Sequence, residues 1–481
     1  MKNLECSALF TDFYSLTMAQ GYWKKNRNYR AVFEMFFRRS PFGSGYAVFA
    51  GLQTLLERLL AFSFSKDDIE YLDGLGLFEK AFTHSLKDFR FRGSLWAMDE
   101  GTVVFPQEPL IRIEGNLIEC QLIEGMLLNT INFQSLIATK TARVYLASGK
   151  GSVMEFGLRR AQGPDGAMSA TRASYIGGAM GTSNTLGGKD FGIPVLGTMA
   201  HAWVMAYPSE EEAFRAYAEI YPGRTVFLID TYDTLKSGIQ NAVKVGRELA
   251  ARGQNFGIRL DSGDIHYLSV EVRKILDAEG FPGATITVSN DLDESIIQAL
   301  TDAGAPVNTW GVGTRMVTGG EEAAFSGVYK LAARDDGAGN MIPVMKFSDN
   351  PEKTTNPGVK QVWRVKDASG MAVADVMSLD GGDVLEKGRR YAFWHPQADY
   401  RHFYHEISGG AEALLKLRID KGGLVSELPP LGDIRSRAAA ELDSLDPSYR
   451  RLLNPHVYKV AVTEKLRELK LALIKNYIGD L

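Results

Sequence analysis

The chain has 481 residues, too many for one ordinary core, so two or three domains are expected. Hydrophobic residues make up 45% and charged residues 23%, which fits a folded chain and excludes a disordered one. The net charge of −4 offers no global attraction to nucleic acid or acidic lipid, so any anion site must be local.

The opening segment, MKNLECSALFTDF, has no basic start followed by a long apolar run, and no apolar run anywhere approaches bilayer length. Neither a signal peptide nor a membrane span is expected. Cys6 and Cys120 are the two cysteines, too few for a disulfide framework or a cysteine-rich metal site, and a reducing, cytoplasmic setting is expected. Residues 1–145 mix helical and extended patterns and read as an N-terminal α+β domain. FTDFYSLTMAQGYW predicts a helix starting at Thr11 or Asp12, with Tyr14, Met18 and Tyr22 on one face that on pattern alone simply packs. AVFEMFFRRSPFG and GTVVFPQEPLIRIEG read as strands, the second interrupted by prolines.

Over residues 146–335 short apolar strands alternate with helices. SVMEFG, IPVLG, TVFLID, FGIRLD, TITVS and NTWGVG begin at residues 152, 193, 225, 256, 285 and 308. Several are apolar on both faces, as a helix-covered parallel sheet requires. Capping boxes are expected at Ser209/Glu212 and Asp291/Glu294. This period predicts an α/β fold with a complete or partial barrel of parallel strands. Residues 336–481 form a β-rich C-terminal region with turns at DDGAGN, DASG and LDGG, a polar loop KFSDNPEKTTNPG, and a closing helix.

Polar residues gather where the central strands end. These are Arg159 and Arg160; Thr198 and His201; Asp230, Thr231 and Asp233; Arg259, Asp261, Ser262, Gly263 and Asp264; Ser289, Asn290 and Asp291; and Gly311, Gly313, Thr314 and Arg315. Carboxyl ends of barrel strands form the functional face, so one rim collects arginines, carboxylates, hydroxyls and glycines. Arg259 sits inside an apolar strand and needs an anionic partner, either Asp261 or a bound anion. GTSNTLGG and GVGT could let backbone N–H groups approach a phosphate. A P-loop, a dinucleotide fingerprint and a G-x-S-x-G elbow are all absent. The set suits a doubly phosphorylated sugar carried with a divalent cation, whose hydroxyls or Mg²⁺ would meet Asp230 or Asp261. The chain's seven histidines include His395, His402 and His405 in one aromatic stretch, read as structural. His201 could be a core side chain, a ligand or a reactive group.

TDFYSLTMAQGYW, EFGLRRAQGPDGAMSATRASYIGG, GTSNTLGG, GTMAH, FLIDTYDT, IRLDSGD, WGVGT, GVYKLA and RLLNPHVYKV resemble, in order, the signature segments of the nicotinate phosphoribosyltransferase family. The resemblance implies an irregular α/β barrel with an N-terminal α+β domain. It implies transfer of phosphoribosyl from 5-phosphoribosyl-1-diphosphate (PRPP) to nicotinate, forming nicotinate mononucleotide and diphosphate for NAD synthesis, coupled to ATP hydrolysis. It implies a homodimer whose active sites are shared between subunits. His201 then matches the histidine that ATP phosphorylates. Tyr14 and Phe156 match the aromatic pair around the pyridine, with Tyr14 coming from the partner subunit. Arg259 faces the nicotinate carboxylate beside Thr198. Arg159, Asp230, Asp261, Ser262, Gly263, Gly311, Gly313 and Thr314 fall where PRPP is held, with Arg38 and Lys140 as further positive charge. Mg²⁺ is carried mainly by PRPP, near Asp230 or Asp261. Ser183 stands where the related nicotinamide enzyme has an aspartate, which favours the acid over the amide. The rival readings are that nicotinamide enzyme, a catalytically silent phosphate-binding homologue, and a barrel lyase using Lys189 or Lys140. No basic-aromatic pattern suggests nucleic acid.

Overall fold

The computed structural model describes residues 7–350, 353–382 and 384–478, so Cys6 falls outside them. The chain forms two compact units, one of Met1–Leu136 with Ala324–Leu481 and one of Ile137–Ala323. The first helix, α1 (Phe13–Lys24), follows an extended Asp12 and stops where Asn26 turns left-handed at φ 50°. Its packed face carries Ser15, Leu16 and Ala19, while Tyr14 is half exposed. Packing alone therefore does not explain Tyr14. Strand β1 (Arg30–Phe37) is buried along nearly all its length. Strands β2 (Ser94–Ala97) and β3 (Ile111–Asn116) follow, with Pro106 and Pro109 separating β3 from a short bridge at residues 103–104. The long helix α2 (Glu124–Ala147) comes next.

The second unit is the alternating α/β layer. Its strands are β4 (Ser152–Glu155), β5 (Gly181–Thr182), β6 (Val226–Leu228), β7 (Gly257–Leu260), β8 (Thr285–Val288) and β9 (Thr309–Val312). They form a six-stranded sheet in the order β5-β4-β9-β8-β7-β6, and every neighbouring pair is parallel. Between them run α3 (Gly163–Ile176), α4 (Thr185–Phe191), α5 (His201–Met205), α6 (Glu210–Ile220), α7 (Ile239–Ala250), α8 (Ile265–Ala278) and α9 (Glu294–Asp302), with α10 (Thr314–Val317) after the last strand. The expected strand at IPVLG is reduced to one bridge, Thr182 to Val195, because Pro194 has no N–H to donate. Gly181–Thr182, read from sequence as a turn, takes its place as β5. The hydrogen-bonded order runs from one end strand to another, so the observed layer is a parallel sheet. A cavity of about 720 Å³ is lined by Met154, Val195, Thr198, Val226, Gly257 and Thr287, among others.

The chain then returns to the first unit. Strand β10 (Gly327–Asp335) lies antiparallel to β1 from Ala31 opposite Arg334 to Phe37 opposite Gly327, and Phe33 stacks on Tyr329 at 4.8 Å. The remaining strands are β11 (Met341–Pro343), β12 (Lys360–Lys366), β13 (Ala372–Leu379), β14 (Arg390–Trp394), β15 (His402–Glu406), β16 (Gly410–Ala413), β17 (Lys416–Asp420), β18 (Gly423–Leu424) and β19 (Val460–Val462). A seven-stranded sheet reads β11-β10-β1-β3-β2-β17-β18, so strands from both chain ends make one layer. A second sheet, β15-β14-β19-β13-β12-β16, is closed off by the final helix α11 (Glu464–Ile478). This is why the C-terminal region shares a compact unit with the N-terminal one. Part of the KFSDNPEKTTNPG loop, residues 351–352, lies outside the described residues.

Candidate active site

Because the sheet is parallel, its carboxyl ends share one edge, and the polar residues following the strands meet there. Arg259, near the end of β7, is the hub. Its Nε donates to Ser289 Oγ at 3.0 Å, Nη1 to Thr198 Oγ1 at 2.6 Å and to the Met199 carbonyl at 3.2 Å, and Nη2 to Asp261 Oδ1 at 3.1 Å. The strand arginine thus has its anionic partner in Asp261. Its guanidinium also lies 6.0 Å from the centre of the Phe156 ring. Burial works against ionisation of Asp261, but the Ser289 hydroxyl, Arg259 and His201 outweigh it and hold the carboxyl below its ordinary value.

His201 opens α5, which places its ring beside the same carboxylate. Its Nδ1 is 3.2 Å from Thr231 Oγ1, and Nε2 is 3.6 Å from Asp261 Oδ2. The ring is not a core side chain, since it remains partly exposed, and among the described residues it joins no group of three His, Cys, Asp or Glu. Asp230, at the end of β6, accepts from the Asp261 N–H at 2.9 Å and from Ser262 Oγ at 2.6 Å through Oδ2. Its Oδ1 is buried with no hydrogen-bond partner. Gly263 turns the chain with φ +80°, and a Cβ there would meet Leu268 at 2.8 Å, so the turn needs glycine.

Helix capping sorts the other carboxylates. Asp233 accepts from the N–H groups of Leu235 and Lys236, and Asp264 caps α8 through Tyr267 N–H. The expected capping box at Asp291/Glu294 shifts by two residues. Asp293 is the N-cap of α9, bonding Ser295 and Ile296, while Asp291 turns left-handed at φ 29°. Glu294 instead pairs with Lys140 at 2.5 Å and Arg143 at 2.9 Å. Lys140 is buried in that pair, so its charge is already matched within the protein. At Ser209, by contrast, the side chain accepts from Glu212 N–H as the spacing implied.

The glycines also divide. Gly187 and Gly188 lie inside α4 against Thr171 and Val195, where a Cβ would clash, so these two glycines serve packing. Gly311 faces Phe156, whose ring would sit 2.7 Å from a Cβ there. Gly313 precedes α10, with Thr314 exposed at its start. Arg159 is exposed just beyond β4, and Ser183 is half buried just beyond β5.

The other unit holds its own group. The Tyr14 hydroxyl is hydrogen-bonded to Glu124, and partial burial together with that carboxylate pushes it up to about 12. Burial lowers Lys330 against the pull of the Glu124 carboxylate, and Arg38 and Lys346 add repulsion, which places three cations near one carboxylate. Arg38 Nε is buried without a hydrogen-bond partner. Lys330 and Lys346 were not found from sequence, because each looks like an ordinary strand or loop lysine until β10 brings it beside Arg38.

Comparison with known proteins matches three stretches of the chain. Residues 9–132 match the N-terminal domain of nicotinate phosphoribosyltransferase, residues 152–371 the nicotinate phosphoribosyltransferase family, and residues 359–470 its C-terminal domain. The nicotinate phosphoribosyltransferase of Bacillus subtilis (strain 168) is 43% identical over 95% of this chain and 93% of its own. That of Homo sapiens is 34% identical over 96% of this chain and 95% of its own. The crystal structure of human nicotinic acid phosphoribosyltransferase superposes with a TM-score of 0.84 at 31% identity, covering 96% of this chain and 99% of that one. A nicotinate-nucleotide pyrophosphorylase from Pyrococcus furiosus shares the fold, with a TM-score of 0.69 at 22% identity.

Proposed function

This chain belongs to the nicotinate phosphoribosyltransferase family, and from that premise we propose how its own residues carry out the reaction. The protein is an enzyme that transfers the phosphoribosyl group to nicotinate. The bond from ribose C1 to the diphosphate oxygen breaks, the diphosphate leaves with the electron pair, and the pyridine nitrogen forms the new bond with its own lone pair. No general base is needed. The work is positioning and stabilising the leaving group.

Nicotinate lies against the Phe156 ring with its carboxylate toward the Arg259–Thr198 pair and Ser183 nearby. Support comes from a guanidinium fixed by Ser289, Thr198, Met199 and Asp261 beside that ring. Its surroundings favour an acid over nicotinamide, since Ser183 adds no negative charge. PRPP lies along the rim, with Asp230, Asp261, Ser262 and Gly263 at its ribose, and Arg159, Gly311, Gly313 and Thr314 toward its phosphates. Mg²⁺ is carried mainly by PRPP, and Asp230 Oδ1, buried without a hydrogen-bond partner, would be the protein oxygen that meets it. Bound there, it would neutralise the departing diphosphate. The Arg38, Lys330 and Lys346 group and Tyr14 reach the site of a second subunit in a homodimer. The parallel layer curls as an irregular barrel around the cavity behind Thr198.

ATP coupling runs through His201. An imidazole nitrogen bonds the γ-phosphorus as the bond to the β-phosphate oxygen breaks, releasing ADP. The single observation carrying this is the ring held between Thr231 and Asp261, partly open to solvent. The test is PRPP consumption with nicotinate, with and without ATP. His201→Ala should lose ATP stimulation and keep some ATP-independent transfer; undiminished coupling in that variant would refute the role. A steady-state preference for nicotinamide would overturn the choice of base.

A further inference from the structure

Glu155, the last residue of β4, is 1% exposed, yet its partners are all neutral. Its carboxylate accepts from the Gly157 N–H and from the hydroxyls of Thr182 and Thr171. Burial pushes its carboxyl up in spite of those three donors. A buried carboxylate costs stability that an apolar side chain of the same size would not, so packing alone does not explain it.

Its surroundings give a reason. Side chains alternate along a strand, so Phe156 points to one face of β4 and Glu155 to the other, where it meets α3 at Thr171. The Glu155 carbonyl accepts from Ser183 N–H at 2.9 Å. Thr182 Oγ1 accepts from Asn184 N–H at 2.9 Å, and Asn184 Nδ2 donates to Thr171 Oγ1 at 3.1 Å. Glu155, Thr182, Asn184 and Thr171 therefore close a hydrogen-bonded ring behind Phe156 and Ser183.

We propose that Glu155 is a positioning residue that locks Phe156 and Ser183 into one cradle for the pyridine base, setting nicotinate affinity without touching substrate. This rests on the assignment of those two residues to the base given above. Glu155→Gln keeps the size but replaces one acceptor oxygen with an NH2 group that faces donors. It should raise the nicotinate KM about tenfold while the PRPP KM stays within about twofold. A nicotinate KM within about twofold of the parent overturns the proposal, and so does a parallel rise in both constants, the mark of general loosening. If Glu155→Gln does not fold, Thr182→Val, which deletes the two ring bonds of that hydroxyl at constant shape, is judged by the same split. Phe156→Leu separates the base site from the residue that positions it. If it leaves the nicotinate KM unchanged, the base assignment falls. If it raises that KM and Glu155→Gln does not, only the positioning role falls.

Discussion

Arg259 shows what a single residue reveals and hides. An arginine inside an apolar strand announces an anion, and Asp261 answers that demand within the protein. Its side chain spends four of its five N–H donors on fixed partners, so it meets a ligand as a rigidly held charge with one Nη2 hydrogen to spare. Arg259→Gln should raise the nicotinate KM by roughly 10- to 100-fold, the cost of a lost charge-assisted bond, as read by steady-state kinetics. Gly311→Ala should act through the same pocket, because its methyl would drive the Phe156 ring from its place; a normal nicotinate KM would contradict this. Such residues were legible because strand ends declare themselves in a parallel sheet. The partner of Lys140 was not, because Glu294 lies more than a hundred residues away in sequence.

Elements divide in the same way. Five strands of the α/β layer sit where apolar runs predicted them, while β5 escaped because a two-residue Gly-Thr strand carries no periodicity. The start of α9 was misplaced because Asp-Leu-Asp offers two capping carboxylates, and backbone geometry chose the second. That choice is testable. Asp293→Ala should cost about 1 kcal/mol of stability in urea melts, whereas Asp291→Ala should cost much less. Equal losses would mean that both carboxylates cap.

Across the molecule, the first unit contains a buried carboxyl cluster that no local pattern foretold. Glu108 is fully buried beside Asp375 and Arg364, with one oxygen unbonded. Burial raises its carboxyl well above the ordinary value, and the neighbouring Asp375 raises it further. The native state therefore keeps a proton that the unfolded chain releases, and the stability this proton confers is lost as pH rises through the native value. Glu108→Gln, a permanent mimic of the protonated form, should be more stable than the parent at about pH 8, with the gap closing toward about pH 5. Thermal melts at both values decide; a gap that widens on acidification would reverse the sign.

The pairing of β1 with β10 also bears on synthesis. The β1 edge next to β10 stays unpaired while the ribosome makes the intervening residues, whereas Ile137–Ala323 is contiguous and can close on itself first. Nascent chains stalled once residue 323 has emerged from the ribosome should already protect the later-made unit from protease. The earlier-made segment should gain protection only once β10 has emerged. The order of translation and the order of folding would then run opposite ways.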